Sequence, residues 1–459
     1  MIEDTIAAIG TALGQSGIAI VRVSGPKSLD VIDEHLKTPR NTSIYDLDKN
    51  TINYGHFYSK SGEVIDEVLV SVFKAPYSYT GEDVIEVNCH GGQIPIKKIL
   101  TTILDSEIRL AEPGEFTKRA FLNGKLDLSQ AEAVMDLISA KTDLSHNVAN
   151  KQAAGQVSHE INIVRDKLLE VLANIEATID YPDEFFDDIS VDKMVEKLQN
   201  VKESINKLLK TASTGKLVRE GIKTVIIGEP NVGKSSLLNA LTKEDRAIVT
   251  DVPGTTRDVL QENINVRGVP LVILDTAGIR ETKDKVEKIG VERTKEYINT
   301  SDLVLYVLDG SQNWTKENEL ILNLIKNKPR IVIVNKSDLS SKMDKKDIKN
   351  KVDCKVLSVS AEKRLGIETL EETILNLFEI GDINDNTFDV TISNLRHELA
   401  LKEALKHINE SINGLKHQNP VDIVSIDIRE AWQYLGKITG DSLSRNLIDE
   451  IFSRFCLGK

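Results

Sequence analysis

One eight-residue stretch, Gly228-Glu-Pro-Asn-Val-Gly-Lys-Ser235, limits the fold more than any other part of the chain. It follows the apolar run Thr224–Ile227 and precedes the amphipathic pattern Ser236–Leu241. A Gly-rich turn between a strand and a helix makes an anion cradle. Successive N–H groups of the loop and the helix N-terminus converge there, and the helix dipole favours negative charge. Asn231, Val232, Gly233, Lys234, Ser235 and Ser236 are therefore the expected phosphate contacts. Lys234 reaches toward the β/γ oxygens, and the Ser235 hydroxyl is placed to ligate Mg²⁺. A chance Gly-rich turn would not need both the strand before it and the helix after it.

Three stretches downstream decide the nucleotide. Asp275-Thr-Ala-Gly278 ends the run Leu271–Leu274, Asn335-Lys336-Ser337-Asp338 follows Ile331–Val334, and Ser360-Ala361-Glu362 follows Val356–Val359. Asp275, Thr276, Ala277 and Gly278 are expected beside the γ-phosphate. The Asp338 carboxylate can accept from both N1–H and N2–H₂ of guanine, whereas adenine offers it an acceptor at N1. A site built on such a bond rejects the mismatch by roughly 10⁴–10⁵. Ser360 and Ala361 support the base from the far side. Each motif is weak alone; four in order, each at an expected strand end, describe a doubly wound sheet with its ligand at the carboxyl ends. The expectation is a guanine-nucleotide hydrolase.

Between the phosphate loop and the hairpin expected at Arg267-Gly268 lies Ala247–Asp258, rich in hydroxyls and turn residues. Thr250, Asp251, Val252, Pro253, Gly254, Thr255 and Thr256 fit a switch segment ordered by γ-phosphate and Mg²⁺, with Thr256 as metal ligand. The residue after Gly278 is Ile279, where Ras-type enzymes carry a water-orienting Gln. Catalysis must be organised in another way.

The rest of the chain frames this core. Its 459 residues suggest about three domains. A formal charge of −13 argues against a broadly basic, nucleic-acid-coating surface. Cys89, Cys354 and Cys456 form no disulfide or zinc spacing, and there is no run of eighteen apolar residues and no signal-like N-terminus. A soluble, cytoplasmic protein with no membrane association is expected. Residues 1–118 read as mixed α/β, with strand-like runs at 17–23, 67–73 and 83–88. Gly14-Gln-Ser-Gly17 reads as a turn, and the adjacent Cys89 and His90 point to opposite faces of a strand. Residues 119–212 and 382–459 carry apolar positions at three- and four-residue steps. They read as two parts of one helical domain, interrupted by a GTPase domain at 213–381. The fold class is thus α/β plus all-α, with an inserted Ras-like P-loop domain.

The combination resembles the bacterial MnmE/TrmE family of tRNA-modification GTPases. The resemblance rests on Gly228–Ser235, Pro253–Asp258, Tyr79-Thr-Gly-Glu-Asp83, Arg119–Leu128 and the terminal Phe455-Cys-Leu-Gly-Lys459. It spans essentially the whole chain. Leu457 stands where the family usually has Ile, and Cys89 where it usually has Gly. The resemblance implies an N-terminal domain that binds 5-formyl- or methylene-tetrahydrofolate through Arg22, Glu82, Lys125 and Lys459, and that forms a homodimer. It implies K⁺ beside Asn231, Thr250, Val252 and Thr255, and Glu287 as the carboxylate that orients water. It also implies an FAD-dependent partner of the GidA/MnmG family, in a heterotetramer or larger assembly acting on tRNA. The reaction is addition of a carboxymethylaminomethyl or aminomethyl group to C5 of wobble uridine. Cys456 stands open between a nucleophilic and a structural role. The rival readings are a ribosome-assembly switch of the Era/Der kind and a one-carbon transferase with a regulatory GTPase insert.

Overall fold

The computed structural model describes residues 4–180, 190–242, 262–274, 295–343, 348, 350–380 and 390–459. Two compact units organise them, one made of 4–135 with 436–459 and the other of 136–435.

The first unit is built on strands β1 (Ile6–Ile9), β2 (Ser16–Ser24), β3 (Leu36–Lys37), β4 (Thr51–Tyr58), β5 (Val64–Phe73), β6 (Val84–Gly91) and β7 (Arg109–Leu110), in the order β3-β4-β5-β6-β2-β1-β7. Neighbours are antiparallel except β1 and β7. Alternation sets the buried face. Val21, Val23, Val68, Val70, Val72, Ile85 and Val87 turn inward, against Ile96, Ile99 and Ile103 of the helix Gln93–Leu104. The three expected strand runs coincide with β2, β5 and β6. Strand β4 gave no such signal, because Thr51-Ile-Asn-Tyr-Gly-His-Phe-Tyr58 interleaves polar residues and is half exposed. On β6, Cys89 is buried and hydrogen-bonds Ala19 O at 3.5 Å, while His90 is exposed and lies 2.7 Å from Asp66. The two side chains point apart, as alternation requires. Burial pushes the Cys89 thiol up to about 11.

The chain end closes this unit. Phe452 and Phe455 pack with Leu128, Ile448 and Phe121. Gly114, at φ 69, lets the tail approach. A Cβ there would stand 2.6 Å from Phe452 O, and its N–H donates to Cys456 O at 3.2 Å.

The second unit carries β8 (Ile222–Ile227), β9 (Glu262–Val266), β10 (Val269–Leu274), β11 (Leu303–Asp309), β12 (Arg330–Asn335) and β13 (Lys355–Ser358), in the order β13-β12-β11-β8-β10-β9. All pairs are parallel except β9 with β10. Strands β10 and β11 are buried along their whole length, which is why they read as unbroken apolar runs. Arg267 (φ 49) and Gly268 (φ 94) both lie in the left-handed region, the geometry of a two-residue hairpin turn. In sequence the sheet sits between the helices Ala212–Glu220 and Leu395–Lys416. The two chain segments flanking it meet where Ile392 N–H donates to Thr211 Oγ1 at 3.0 Å.

The helix Leu395–Lys416 packs along Val191–Lys210, which also packs on Gln156–Asp180. Its buried stripe is His397, Ala400, Leu401, Ala404, Ile408, Ile412 and Leu415. Leu395 and Leu399, which also repeat at helical spacing, fall on the outward face and are exposed, as is Ile179. Among the described residues no helix is long and apolar enough to cross a membrane.

Candidate functional site

The sheet order places the phosphate loop. Strand β8 has β10 on one side and β11 on the other, so the chain reverses its winding direction at the carboxyl end of β8, the place where doubly wound sheets bind their ligands. Gly228 to Gly233 occupy that end, and the helix Lys234–Leu241 starts immediately after. Gly228 (φ 154), Asn231 (φ 63) and Gly233 (φ 95) all have positive φ. A Cβ on Gly228 would collide with Val307 O of β11, and one on Gly233 with Asn335 Nδ2. Two positions of the motif are therefore closed to any larger residue by neighbouring strands. Lys234 Nζ donates to Gly228 O at 3.0 Å and Glu229 O at 2.9 Å, so the loop wraps its own lysine. Burial lowers the pKa of that ammonium group. Val232 is buried, while Asn231 and Ser236 are exposed on the rim and Ser235 is half-buried.

The segments expected to read guanine converge on the same edge. Asn335, at the end of β12, is 2 % exposed. Its Nδ2 donates to Val232 O at 2.9 Å, and its Oδ1 accepts from Ala361 N–H at 3.0 Å. One side chain thus ties the phosphate loop to the 360–362 loop. Asp338 accepts from Ser360 Oγ at 2.6 Å, and that hydrogen bond holds its carboxyl below the usual range, with help from Lys363 at 3.9 Å. Ser337 N–H donates to Val359 O at 3.1 Å. Lys336 (φ 60) extends to Asp309 Oδ2 at 2.6 Å.

Two contributors had no place in the motif reading. Glu229 accepts from Thr315 Oγ1 at 2.6 Å and Asn318 Nδ2 at 2.7 Å, the capping pair of the helix Lys316–Leu324. The second residue of the phosphate loop is thereby anchored. Asp309, at the end of β11, is the other. Its signal was present in Leu303–Asp309, an apolar run ending on an acid like Leu271–Asp275.

Thr250 to Thr256, Asp275 to Gly278, Ile279 and Glu287 lie outside the described residues, and with them most of the expected K⁺ and Mg²⁺ ligands.

In the first unit the expected folate contacts are engaged with neighbouring groups. Arg22 Nε donates to Glu86 at 2.8 Å, and Nη1 donates to Gly458 O at 3.1 Å, next to Lys459. The guanidinium also lies 5.7 Å from the Tyr79 ring centroid. Glu82 Oε2 accepts from Ser24 Oγ at 2.7 Å and from Arg119 at 3.2 Å. Lys125 Nζ donates to Pro76 O at 3.0 Å, with its stem against Gly81. Arg119, fully buried, was seen in sequence only as part of a motif. It joins Glu82, Asp4 (2.8 Å) and Glu115 (3.0 Å) in one network. Cys456 is exposed.

Two family models match. The one described as GTP-binding protein TrmE N-terminus covers residues 5–125, and the one described as MnmE helical domain covers residues 128–456. Curated relatives match end to end. A protein of Alkaliphilus metalliredigens (strain QYMF) is 48% identical over 460 residues, covering 100% of both chains. One of Clostridioides difficile (strain 630) is 49% identical over 459 residues, again 100% of both. One of Bacillus velezensis (strain DSM 23117 / BGSC 10A6 / LMG 26770 / FZB42) is 49% identical over 462 residues, 99% of this chain and 100% of that one. All three carry the name tRNA modification GTPase MnmE.

Proposed function

The chain belongs to the MnmE family of tRNA modification GTPases, and from that premise we propose that it hydrolyses GTP to drive modification of C5 of the wobble uridine in tRNA. The observation that carries the nucleotide half is the Asn335 bridge. It holds Val232 of the phosphate loop and Ala361 of the base-side loop at one edge, with Asp338 oriented by Ser360. Asp338 then reads guanine by accepting from two donors, and Lys234 supplies positive charge to the terminal phosphates. Mg²⁺ fits the Ser235 hydroxyl at the first turn of the helix, and when bound it offsets charge on the β- and γ-oxygens. In this reading Thr256 is its second protein ligand, Asp275 to Gly278 line the γ-phosphate, and K⁺ sits beside Asn231, Thr250, Val252 and Thr255. Glu287 orients the attacking water.

The modification half rests on the first unit. Arg22, Glu82, Lys125 and Lys459 hold a 5-formyl- or methylene-tetrahydrofolate, which supplies the one-carbon unit. Glu82 keeps acceptor capacity beyond its bonds to Ser24 and Arg119, since an ionised carboxylate offers about four lone-pair sites. The homodimer acts with an FAD-dependent GidA/MnmG-type protein that shares the tRNA. The domains follow the divisions 1–118, 119–212, 213–381 and 382–459, and the protein works in the cytoplasm. The Era/Der-type reading is not favoured, because the family matches cover the N-terminal and helical regions as well.

Reconstitution tests this. The purified chain, the FAD-dependent partner, methylene-tetrahydrofolate, glycine or ammonium as the nitrogen source, GTP, Mg²⁺, K⁺ and unmodified tRNA should together yield a modified wobble uridine detectable by mass spectrometry. GTP hydrolysis without any tRNA product under those conditions would refute the modification half.

A further inference from the structure

A buried carboxylate at the end of β11, between the strands that lead to the phosphate loop and to Asn335, has no part in the reading above. Asp309 is 4% exposed and ends β11, opposite Asn335 in the β11–β12 ladder. It is fully engaged: Oδ1 accepts from Ser311 N–H at 2.9 Å and Ser311 Oγ at 2.6 Å, and Oδ2 accepts from Lys336 Nζ at 2.6 Å and Gln312 Nε2 at 3.3 Å. Burial alone would raise its pKa, but the bonds from Lys336 and Ser311 outweigh that and lower it. The carboxylate is therefore charged at neutral pH.

Lys336 stands between the two groups that define the pocket, Asn335 and Asp338. Its backbone is left-handed, at φ 60, a conformation that costs a non-glycine residue energy unless its surroundings enforce it. A salt bridge from its far end to a buried anion is such a constraint. We propose that Asp309 is a positioning residue for guanine-nucleotide binding, fixing Lys336 and through it the path of the chain from Asn335 to Asp338. This deepens the GTPase reading and rests on it. The effect belongs to ground-state binding, because Asp309 acts through Lys336, which lies in the segment between Asn335 and Asp338 rather than in the phosphate loop.

The test is a double-mutant cycle on the full-length protein, read by GDP affinity and by steady-state GTP hydrolysis. Asp309→Asn keeps size and removes charge. It should raise the Kd for GDP and the KM for GTP about 10–100-fold, the scale of a lost hydrogen bond to a charged group. The kcat at saturating GTP should fall less than about three-fold. Lys336→Met should weaken GDP binding similarly, and the double variant should be no more than about two-fold worse than the weaker single variant, because one interaction is removed either way. Asp309→Ser, smaller and neutral, carries the same expectation should the Asn variant not fold. A GDP Kd within two-fold of wild type for the neutral variants, multiplicative losses in the cycle, or equal losses in kcat and affinity would overturn the assignment. A wild-type protein that binds no guanine nucleotide would instead refute the underlying reading.

Discussion

Replacing Asn335 by Ala removes a side chain that bonds to both the phosphate loop and the 360–362 loop. The amide is 2 % exposed, so water does not readily take its place. Its loss leaves Val232 C=O and Ala361 N–H without the partners they have at 2.9 and 3.0 Å. A buried polar group left unsatisfied costs about 1–3 kcal/mol, so the pair costs about 2–6 kcal/mol. At about 2–4 °C per kcal/mol for a domain of this size, the melting temperature should fall by about 4 °C or more. The Val232 share also enters binding. Without its partner the phosphate loop favours shapes in which that carbonyl meets water, and nucleotide must bind the minority shape. About 1–3 kcal/mol on that side corresponds to a rise in GDP Kd of roughly 5–150-fold. Titration with a fluorescent GDP analogue and a thermal melt check both numbers. An Asn335→Ala protein with wild-type Tm and a GDP Kd within two-fold of wild type would refute the bridging argument.

Replacement of Na⁺ by K⁺ should speed GTP hydrolysis by orders of magnitude, and Asn231→Lys, which carries its own charge into the loop, should abolish the difference; equal wild-type rates in KCl and NaCl refute the cation reading. Glu287→Ala should lower kcat about 10²–10³-fold with little change in GTP affinity, and a kcat within two-fold of wild type rejects its role. Native thiol labelling should hit exposed Cys456 first, since Cys89 is buried with its pKa raised to about 11; Cys456→Ser should then abolish tRNA modification but spare GTP turnover if the thiol is a nucleophile, and normal modification leaves it structural. Arg119→Met should destabilise the first unit by about 1–3 kcal/mol at pH 7, because Glu82 loses its charged partner while Asp4 and Glu115 keep Arg109. Burial raises the pKa values of Asp4 and Glu115, but Arg109 and Arg119 outweigh it and depress both, so the stabilisation is present above the unfolded carboxylate values and lost as pH falls through the folded ones. The gap between wild-type and Arg119→Met melting temperatures should therefore hold between about pH 7 and pH 5 and narrow as pH falls below about 4, and a gap that stays constant down to about pH 2 contradicts the network.

The parts of this protein legible in sequence are those where local chemistry and fold impose the same residue pattern. The phosphate loop is one: its glycines are excluded from carrying a Cβ by Val307 and Asn335, so the motif spells out its own surroundings. The Arg267-Gly268 turn is another, since positive φ at both positions narrows the choice of residues. Partnerships across long sequence separations were not legible. Glu229 with Thr315 and Asn318, and Arg119 with Asp4 and Glu82, join residues whose types are ordinary on any surface. Only the fold makes them meet. Helical spacing likewise marked Leu395 and Leu399 as apolar without saying which face the helix Val191–Lys210 would cover. The Cys89 thiol, which stands where the family usually has Gly, is removed from chemistry by the alternation of β6 and by burial.

The central claim is that GTP turnover at the Lys234 and Asp338 site serves modification of tRNA. Nucleoside analysis of tRNA from a strain lacking this gene tests it most directly, with the strain complemented in turn by the wild-type protein and by Lys234→Ala. The expected result is unmodified C5 at the wobble uridine in the deletion strain, restored by the wild type and not by the variant. A full complement of modified wobble uridine in the deletion strain, or its restoration by a Lys234→Ala protein shown to hydrolyse no GTP, would contradict the account.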